Sequence, residues 1–297
     1  MLVSQYLTAV RRQGKVSPEI TDADLLGLGD IEIASSLLPL VRSVRQEYFV
    51  REATVASVGG RCALPNRAID GTVRHVQLLL NGAALPLAHV DVEDDRQGIN
   101  SGVPVAWYFD GGSVVLLPRG SSGTVRFRYF ARPGKLVSES DTTNVRTVVS
   151  GGTTLNSDGS ATLGLSGTIP AGNVDVISSG PAHEHLVIDL AGAGGSSLTV
   201  PVASALGPFR IGDYVVTADM SPVVPLPEEM SAILVHQVAA VYLRAQGYDS
   251  EAGSQAAIAQ AAKGAAEALL KPRSEGNPRR LRGGIRGQLC AGRGWWW

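Results

Sequence analysis

The sequence VRFRYF, residues 125–130, alternates apolar and basic side chains with the period of a β-strand. Arg126 and Arg128 point to one side of such a strand, and the valine and aromatic residues between them point to the other. The pattern therefore predicts a strand with one face in a core and the other in water.

The residues around this strand, over 53–137, carry related signals. The run TVRHVQLLL, residues 72–80, precedes Asn81-Gly82, a pair typical of a type I′ hairpin turn. AWYFD and SVVLLP flank Gly111-Gly112 in the same way. Residues 53–137 are therefore predicted to form antiparallel β-hairpins.

Residues 138–210 differ in composition, being rich in Ser, Thr and Gly. Short β-rich pieces (VRTVV, ATLGL, NVDVI, HLVIDL and SLTVPV) alternate with turn clusters such as NSDGS and AGAGGSS. This pattern predicts a small all-β module inserted into the body of the protein.

Residues 1–52 show a mostly helical spacing of apolar residues. Thr21 or Asp22 is expected to cap one of these N-terminal helices. Gly27 and Gly29 interrupt the pattern in LGLGD, so we expect the helix to break there.

Residues 211–270 are predicted to contain a strand followed by a pair of helices. Pro227 suits the start of the first helix and Gly247 its end. The second helix runs to Leu270 and is so rich in Ala that it needs packing partners, within the chain or from another subunit. Together these segments predict an α+β fold, with a helical body, antiparallel β-hairpins, the inserted β module and an extended C-terminal arm.

The arm, residues 271–297, reads KPRSEGNPRRLRGGIRGQLCAGRGWWW. It holds seven Lys/Arg and one Glu out of 26 Lys/Arg and 27 Asp/Glu in the chain, which leaves 19 and 26 for residues 1–270. An acidic body thus carries a basic arm, whose composition is too polar to fold alone. Arg and Trp are enriched at binding hot spots, so the arm is predicted to dock on another macromolecule. The proposed docking residues are Arg273, Arg279, Arg280, Arg282, Arg286, Arg293, Trp295, Trp296 and Trp297.

No pattern in the sequence argues for catalysis, a metal or a cofactor. His183 and His185 would share one face of a strand, but two imidazoles do not make a metal site. The acidic patch Asp91, Glu93, Asp94 and Asp95 lacks the glycine and final glutamate of a calcium loop.

The cysteines and the targeting signals further limit the class of protein that the sequence can encode. Cys62 and Cys290 are far apart, which favours two free thiols in a reducing compartment over a disulfide. No secretion signal or membrane span is predicted.

A second group of arginines can be ordinary surface charges or can pair with a neighbouring subunit, and these candidates are Arg42, Arg45, Arg126 and Arg128.

Several strings together resemble one family. They are ITDADLLGLGDIEIASSLLPLVRSVRQEYFV, GGRCALPNRAIDGTVRHVQL, YFDGGSVVLLP, VRFRYFARPGKLV, GDYVVTADMSPVVPLPEEMSAILVHQVAAVYLRAQG and KPRSEGNPRRL. Their order resembles the head-to-tail adaptor (connector, neck or head-completion) proteins of tailed bacteriophages. The resemblance covers roughly residues 15–137 and 211–282. The inserted module and the WWW ending lie outside it.

The resemblance implies a non-enzymatic virion protein, made in the bacterial cytoplasm, that forms a ring of about twelve copies in the neck. The C-terminal arm would bind the portal protein, and the other end of the ring would receive the next neck or tail component. Genomic double-stranded DNA would pass through without sequence-specific contact, and no membrane is involved.

Two alternatives stay open: a tail-associated structural protein, suggested by the β module, or a nucleic-acid-binding protein using the basic arm.

Overall fold

The computed structural model describes residues 1–45, 47–91, 102–180, 183–201 and 207–270. Within them the protein is mostly β, with four sheets and about 30% of its residues in helices. The expected α+β fold with a helical body is therefore wrong. The helices come from the two ends of the chain and form a single layer with its own core. The central segments form two β units, and each of these has a separate core. The C-terminal arm lies outside the described residues.

The helical layer consists of α1 (Val3–Gln13), α2 (Asp22–Glu32), α3 (Leu38–Val44), α4 (Glu228–Ala245) and α5 (Asp249–Leu270). α4 lies at its centre, with Met230, Ile233 and Leu234 fully buried. α1, α2 and α5 all pack against α4. The layer therefore joins the two ends of the chain.

The predicted ends of the helices are largely confirmed. The Thr21 hydroxyl accepts a hydrogen bond from the Asp24 N–H at 3.2 Å and caps α2. Pro227 is the residue before α4, and Gly247 follows it with a φ of 83°. The break expected at LGLGD is wrong, because α2 continues through both glycines and gives way instead to a π-helical turn over Ile33–Leu37.

The first β unit is formed by β1 (Val50–Ser57), β2 (Arg61–Ala63), β3 (Ala68–Leu80), β4 (Ala83–Pro86), β5 (Ala88–His89), β6 (Ala106–Asp110), β7 (Ser113–Leu117) and β8 (Gly123–Ala131). Two four-stranded sheets, β1-β8-β3-β4 and β2-β7-β6-β5, enclose one core. The alternation predicted for β8 is confirmed, since Val125, Phe127 and Tyr129 are all buried. Trp107 and Leu116 come from the other sheet.

Both predicted hairpins are confirmed. Asn81 and Gly82 have φ values of 48° and 81°, as a type I′ turn requires, and join β3 to β4. Gly111-Gly112 joins β6 to β7, where Asp110 pairs with Ser113.

The second β unit contains β10 (Val145–Leu155), β11 (Ser160–Ile169), β12 (Gly172–Ile177), β13 (His185–Gly192), β14 (Gly195–Pro201) and β15 (Tyr214–Thr217). They form one sheet in the order β13-β12-β15-β10-β11-β14. The edge strands β13 and β14 approach each other, so the sheet is a nearly closed barrel. Its interior is apolar, with Leu163, Val176 and Val200 fully buried.

A short parallel pair, β9 (Lys135–Leu136) and β16 (Met220–Ser221), connects the units. β9 follows the first β unit, and β16 precedes α4. Leu136 also belongs to the helical core and contacts α2. The helical layer and the two β units therefore meet near these two strands.

Candidate functional site

The outer face of α5 is a surface without charge. Ala252 and Ala266 on the inner face are buried against α4. The outer side is apolar as well, with Ile258 and Leu269 47% and 65% exposed. A solvated helix normally carries charged residues on this side. The other exposed residues between them are Gln260, Ala261, Gly264, Ala265 and Ala268.

The two charged residues of this stretch are four positions apart and share one edge of this surface. Lys263 and Glu267 are only partly exposed, and the Lys263 Nζ donates a hydrogen bond to the Ser36 Oγ at 2.8 Å. Nothing in the described chain lies within 4 Å of the Cβ position of Gly264, so the backbone of α5 is open to close approach there. We call the exposed residues 257–269 of α5 the outer helix face.

The predicted docking residues of the arm all lie outside the described residues. The arm begins directly after Leu270, the last residue of α5. In the sequence, the outer helix face is therefore followed immediately by the basic arm.

The four arginines proposed as interface candidates do not form one cluster. Arg42 stacks over the Phe130 ring, with its guanidinium carbon 4.6 Å from the ring centroid. Arg45 pairs with Glu47, with 3.1 Å between Nε and Oε1. On β8, Arg128 pairs with Glu52 at 3.3 Å, and both side chains are about half exposed.

Arg126 and Arg128 line an open cleft between the outer side of the first β unit and strand β13. Ile188 and Asp189 stand on the opposite wall. The cleft has a volume of about 980 Å³. These two arginines therefore face the second β unit of their own chain as well as solvent.

A buried ion pair links the two β units, and the sequence analysis missed it. Arg67, just before β3, contacts the Asp175 carboxylate of β12, and the two side chains are 4% and 0% exposed. The Arg67 Nε also lies 3.1 Å from Asp219 Oδ1, and its Nη2 donates to the Arg132 carbonyl at 3.2 Å. The Asp189 N–H donates to Asp175 at 2.9 Å. A charged side chain inside the apolar sequence VDVI was the one signal for this pair, because a buried charge needs a partner.

His185 stands beside this ion pair without joining it. Its Nδ1 lies 4.0 Å from Asp175 Oδ2 and is buried without a hydrogen-bond partner in the described chain. Burial and the charges of Arg67 and Arg51 lower the pKa of His185 to about 3, so the imidazole is neutral at pH 7. Burial also raises the pKa of Asp175 to about 6, although Arg67 opposes that shift.

The two histidines considered as metal ligands are used differently. His183 has a φ of 46°, and its Nδ1 lies 3.2 Å from the Ser178 carbonyl. Among the described residues, no group of three or more His, Cys, Asp or Glu side chains is placed to hold a metal ion. Cys62 is buried with a free thiol, and Cys290 lies outside the described residues.

A cavity of about 270 Å³ opens at the junction of the helical layer and the two β units, and we call it the junction cavity. The first β unit contributes Arg51, Arg67 and Arg132, and the second contributes His183 and His185. The helical side contributes the residues around Arg45, the N-terminal Met1 and the start of α4. Two carboxylates, Glu228 and Glu229, also line the cavity and are exposed.

No protein-family model matches the chain, and a search of curated proteins gives no match either.

No described helix is both long enough and apolar enough to cross a lipid bilayer. The features that remain for function are the outer helix face, the arm that follows it and the junction cavity.

Proposed function

We propose that this chain is a structural virion protein, a head-to-tail adaptor whose copies form a ring on the portal of a tailed bacteriophage. The observation that carries the proposal is the uncharged outer helix face, followed directly by a basic arm. The outer helix face suits contact with another subunit, and the basic arm suits contact with a different partner.

The outer helix face supports self-association. A helix side that carries no charged residue is normally buried against another element. Among the residues that the structure describes, only the inner side of α5 is covered. Small residues at Ala261, Gly264 and Ala265 let a neighbouring backbone approach closely, and Ile258 and Leu269 supply apolar bulk.

A closed ring requires two different faces on each subunit. The outer helix face provides one. Among the candidates Arg42, Arg45, Arg126 and Arg128, the pair Arg126 and Arg128 shares one surface of β8 and is our choice for the other, facing the acidic surface of a neighbour.

The arm supports contact with the portal. It combines arginines with three terminal tryptophans, the residue types most enriched at hot spots. A segment that orders on binding loses entropy but covers a long surface. Repetition around a ring multiplies such contacts through avidity.

The acidic body suits the proposed DNA channel. Residues 1–270 hold 26 acidic and 19 basic residues. A surface of this sign repels phosphates, so DNA would slide through the ring without sticking.

The first experiment tests the outer helix face with Ala265→Glu in the full chain. We expect the wild type to form a ring with the portal, by native mass spectrometry, and A265E to lose contacts between adaptor subunits because it buries a carboxylate. Ala23→Glu, the same change at an exposed position on α2, is the matched control. Circular dichroism checks that both variants fold. Normal rings from A265E would contradict this use of α5.

The second experiment removes residues 272–297. We expect portal binding to be lost while the circular dichroism and melting temperature of the body persist. Replacing Trp295, Trp296 and Trp297 by Ala should weaken binding in the same direction. Unchanged affinity of the truncated chain for the portal would show that the arm is not the docking element.

A further inference from the structure

Four arginines line the junction cavity, and two of them lack carboxylate partners in the described chain. Arg67 is paired with Asp175, but neither Arg51 nor Arg132 has a carboxylate within 4 Å in the described chain. The Arg51 Nη1 instead donates to the Tyr48 and Val50 carbonyls, each at 3.0 Å. From this geometry we propose that the junction cavity binds a small oxyanion of the phosphate class.

The position of Arg51 is the strongest reason for the proposal. The side chain is partly buried, and burial lowers its pKa. Arginine stays protonated in proteins, so the protein retains a poorly solvated positive charge here. An anion in the cavity would offset this cost through charge-assisted hydrogen bonds.

The start of α4 lies beside the same arginines. No described side chain caps the first turn of α4, an 18-residue helix whose first residues line the cavity. N–H groups at such an end favour an anion.

The size and rim of the cavity limit the ligand. A volume of about 270 Å³ lies below the range of ~300–1,000 Å³ typical of drug-sized ligands. It is several times the ~30 Å³ share of one water molecule in the liquid, so an oxyanion and some water fit. The exposed carboxylates of Glu228 and Glu229 would repel an extended polyanion. Inorganic phosphate is therefore the appropriate probe, and a nucleic acid is not expected to bind.

Phosphate binding should stabilise the protein, because the cavity exists only where the three parts of the folded chain meet. A ligand that binds the folded state alone raises the free energy of unfolding with its concentration. This inference does not depend on the adaptor role, since the cavity belongs to a single chain.

The test uses the full chain and sodium phosphate, with sodium chloride at matched ionic strength as the salt control. We expect phosphate to raise the melting temperature and to give saturable binding in isothermal titration calorimetry, and chloride to do neither. Arg132→Gln should fold normally, because Arg132 is exposed, and should bind phosphate at least tenfold more weakly. Arg12→Gln, an exposed arginine on α1, should keep the wild-type affinity.

Arg51→Gln gives a second, independent result. We expect it to abolish phosphate binding without lowering the melting temperature measured in chloride. Equal effects of phosphate and chloride on the wild type would overturn the proposal. Wild-type affinity in R132Q or R51Q would overturn it as well.

Discussion

Arg67 and Asp175 test how much one buried ion pair contributes to this fold. Arg67→Ala leaves the Asp175 carboxylate uncompensated and should lower the free energy of unfolding by about 3–5 kcal/mol. Arg128→Ala removes a half-exposed pair with Glu52 and should cost less than ~1 kcal/mol. Urea denaturation of both variants measures the contrast. Equal losses in the two would mean that the burial of Arg67 does not set its energetic role.

His185 predicts a pH dependence. Its pKa is about 3 when folded and 6.5 ordinarily, so below pH 6.5 the unfolded chain binds a proton that the folded chain resists. The stability carried by neutral His185 is therefore lost as the pH falls from 6.5 towards 3. Between pH 7 and 5, the stability of His185→Gln relative to wild type should improve by about 2 kcal/mol.

Asp175 titrates with the opposite sign, since its pKa is raised, but it is present in both proteins and largely cancels from the comparison. His75→Gln, at an exposed position on β3, controls for the loss of an imidazole. Urea denaturation at pH 5, 6 and 7 gives the values. A gain for H75Q as large as that for H185Q would contradict the assignment to the buried imidazole.

At the scale of elements, Gly27 and Gly29 of α2 predict opposite effects. Gly27 is exposed with no atom near its Cβ position, so Gly27→Ala should stabilise the protein by about 0.5–1 kcal/mol through helix propensity. A Cβ on Gly29 would lie 2.6 Å from Tyr6 Oη and 2.8 Å from Leu136 Cδ1. Gly29→Ala should therefore destabilise it by about 1–3 kcal/mol through overpacking.

Thermal melts of the two alanine variants decide the point, and each variant controls for the other. Destabilisation by both would contradict the open surroundings of the Gly27 Cβ position. Stabilisation by both would mean that α1 and β9 shift easily away from α2.

Short stretches of sequence predicted the individual strands, turns and helices well. They did not predict how these elements assemble. The Asn81-Gly82 turn, the alternation in β8 and the ends of α4 depend on neighbouring residues, so the sequence sufficed. The closure of the second β unit depends on β15, which pairs with both β10 and β12 across long stretches of chain. No local period encodes such pairings, and the β content of the fold was therefore underestimated.

The candidate sites likewise divide into features that the local sequence predicted and features that depend on the assembled fold. The thin, Ala-rich character of α5 was evident from composition, but its exposure depends on where α4 lies. Arg67 and Asp175 stand 108 positions apart in the chain, and neither carries a motif. The junction cavity arises where three parts of the fold meet, so no single stretch of sequence could predict it.

At the scale of the whole molecule, the separation of charge predicts how the arm binds. In the proposed complex, the arm's arginines act through electrostatic attraction, which weakens as the Debye length falls from ~10 Å at 0.1 M salt to ~3 Å at 1 M. The tryptophans act through apolar burial, which salt does not screen. The two contributions to portal affinity should therefore separate when the salt concentration is varied.

We expect the wild-type chain to bind the portal at least tenfold more weakly in 1 M than in 0.1 M NaCl, by surface plasmon resonance. Replacing the six arm arginines, residues 273–293, by Gln should flatten that salt dependence, since few charges remain to be screened. Replacing Trp295, Trp296 and Trp297 by Ala should weaken binding at both salt concentrations and leave the slope unchanged, with each buried indole contributing about 2–4 kcal/mol. A wild-type affinity independent of salt would remove the electrostatic role of the arm, and full affinity without the tryptophans would show that they do not bind the portal.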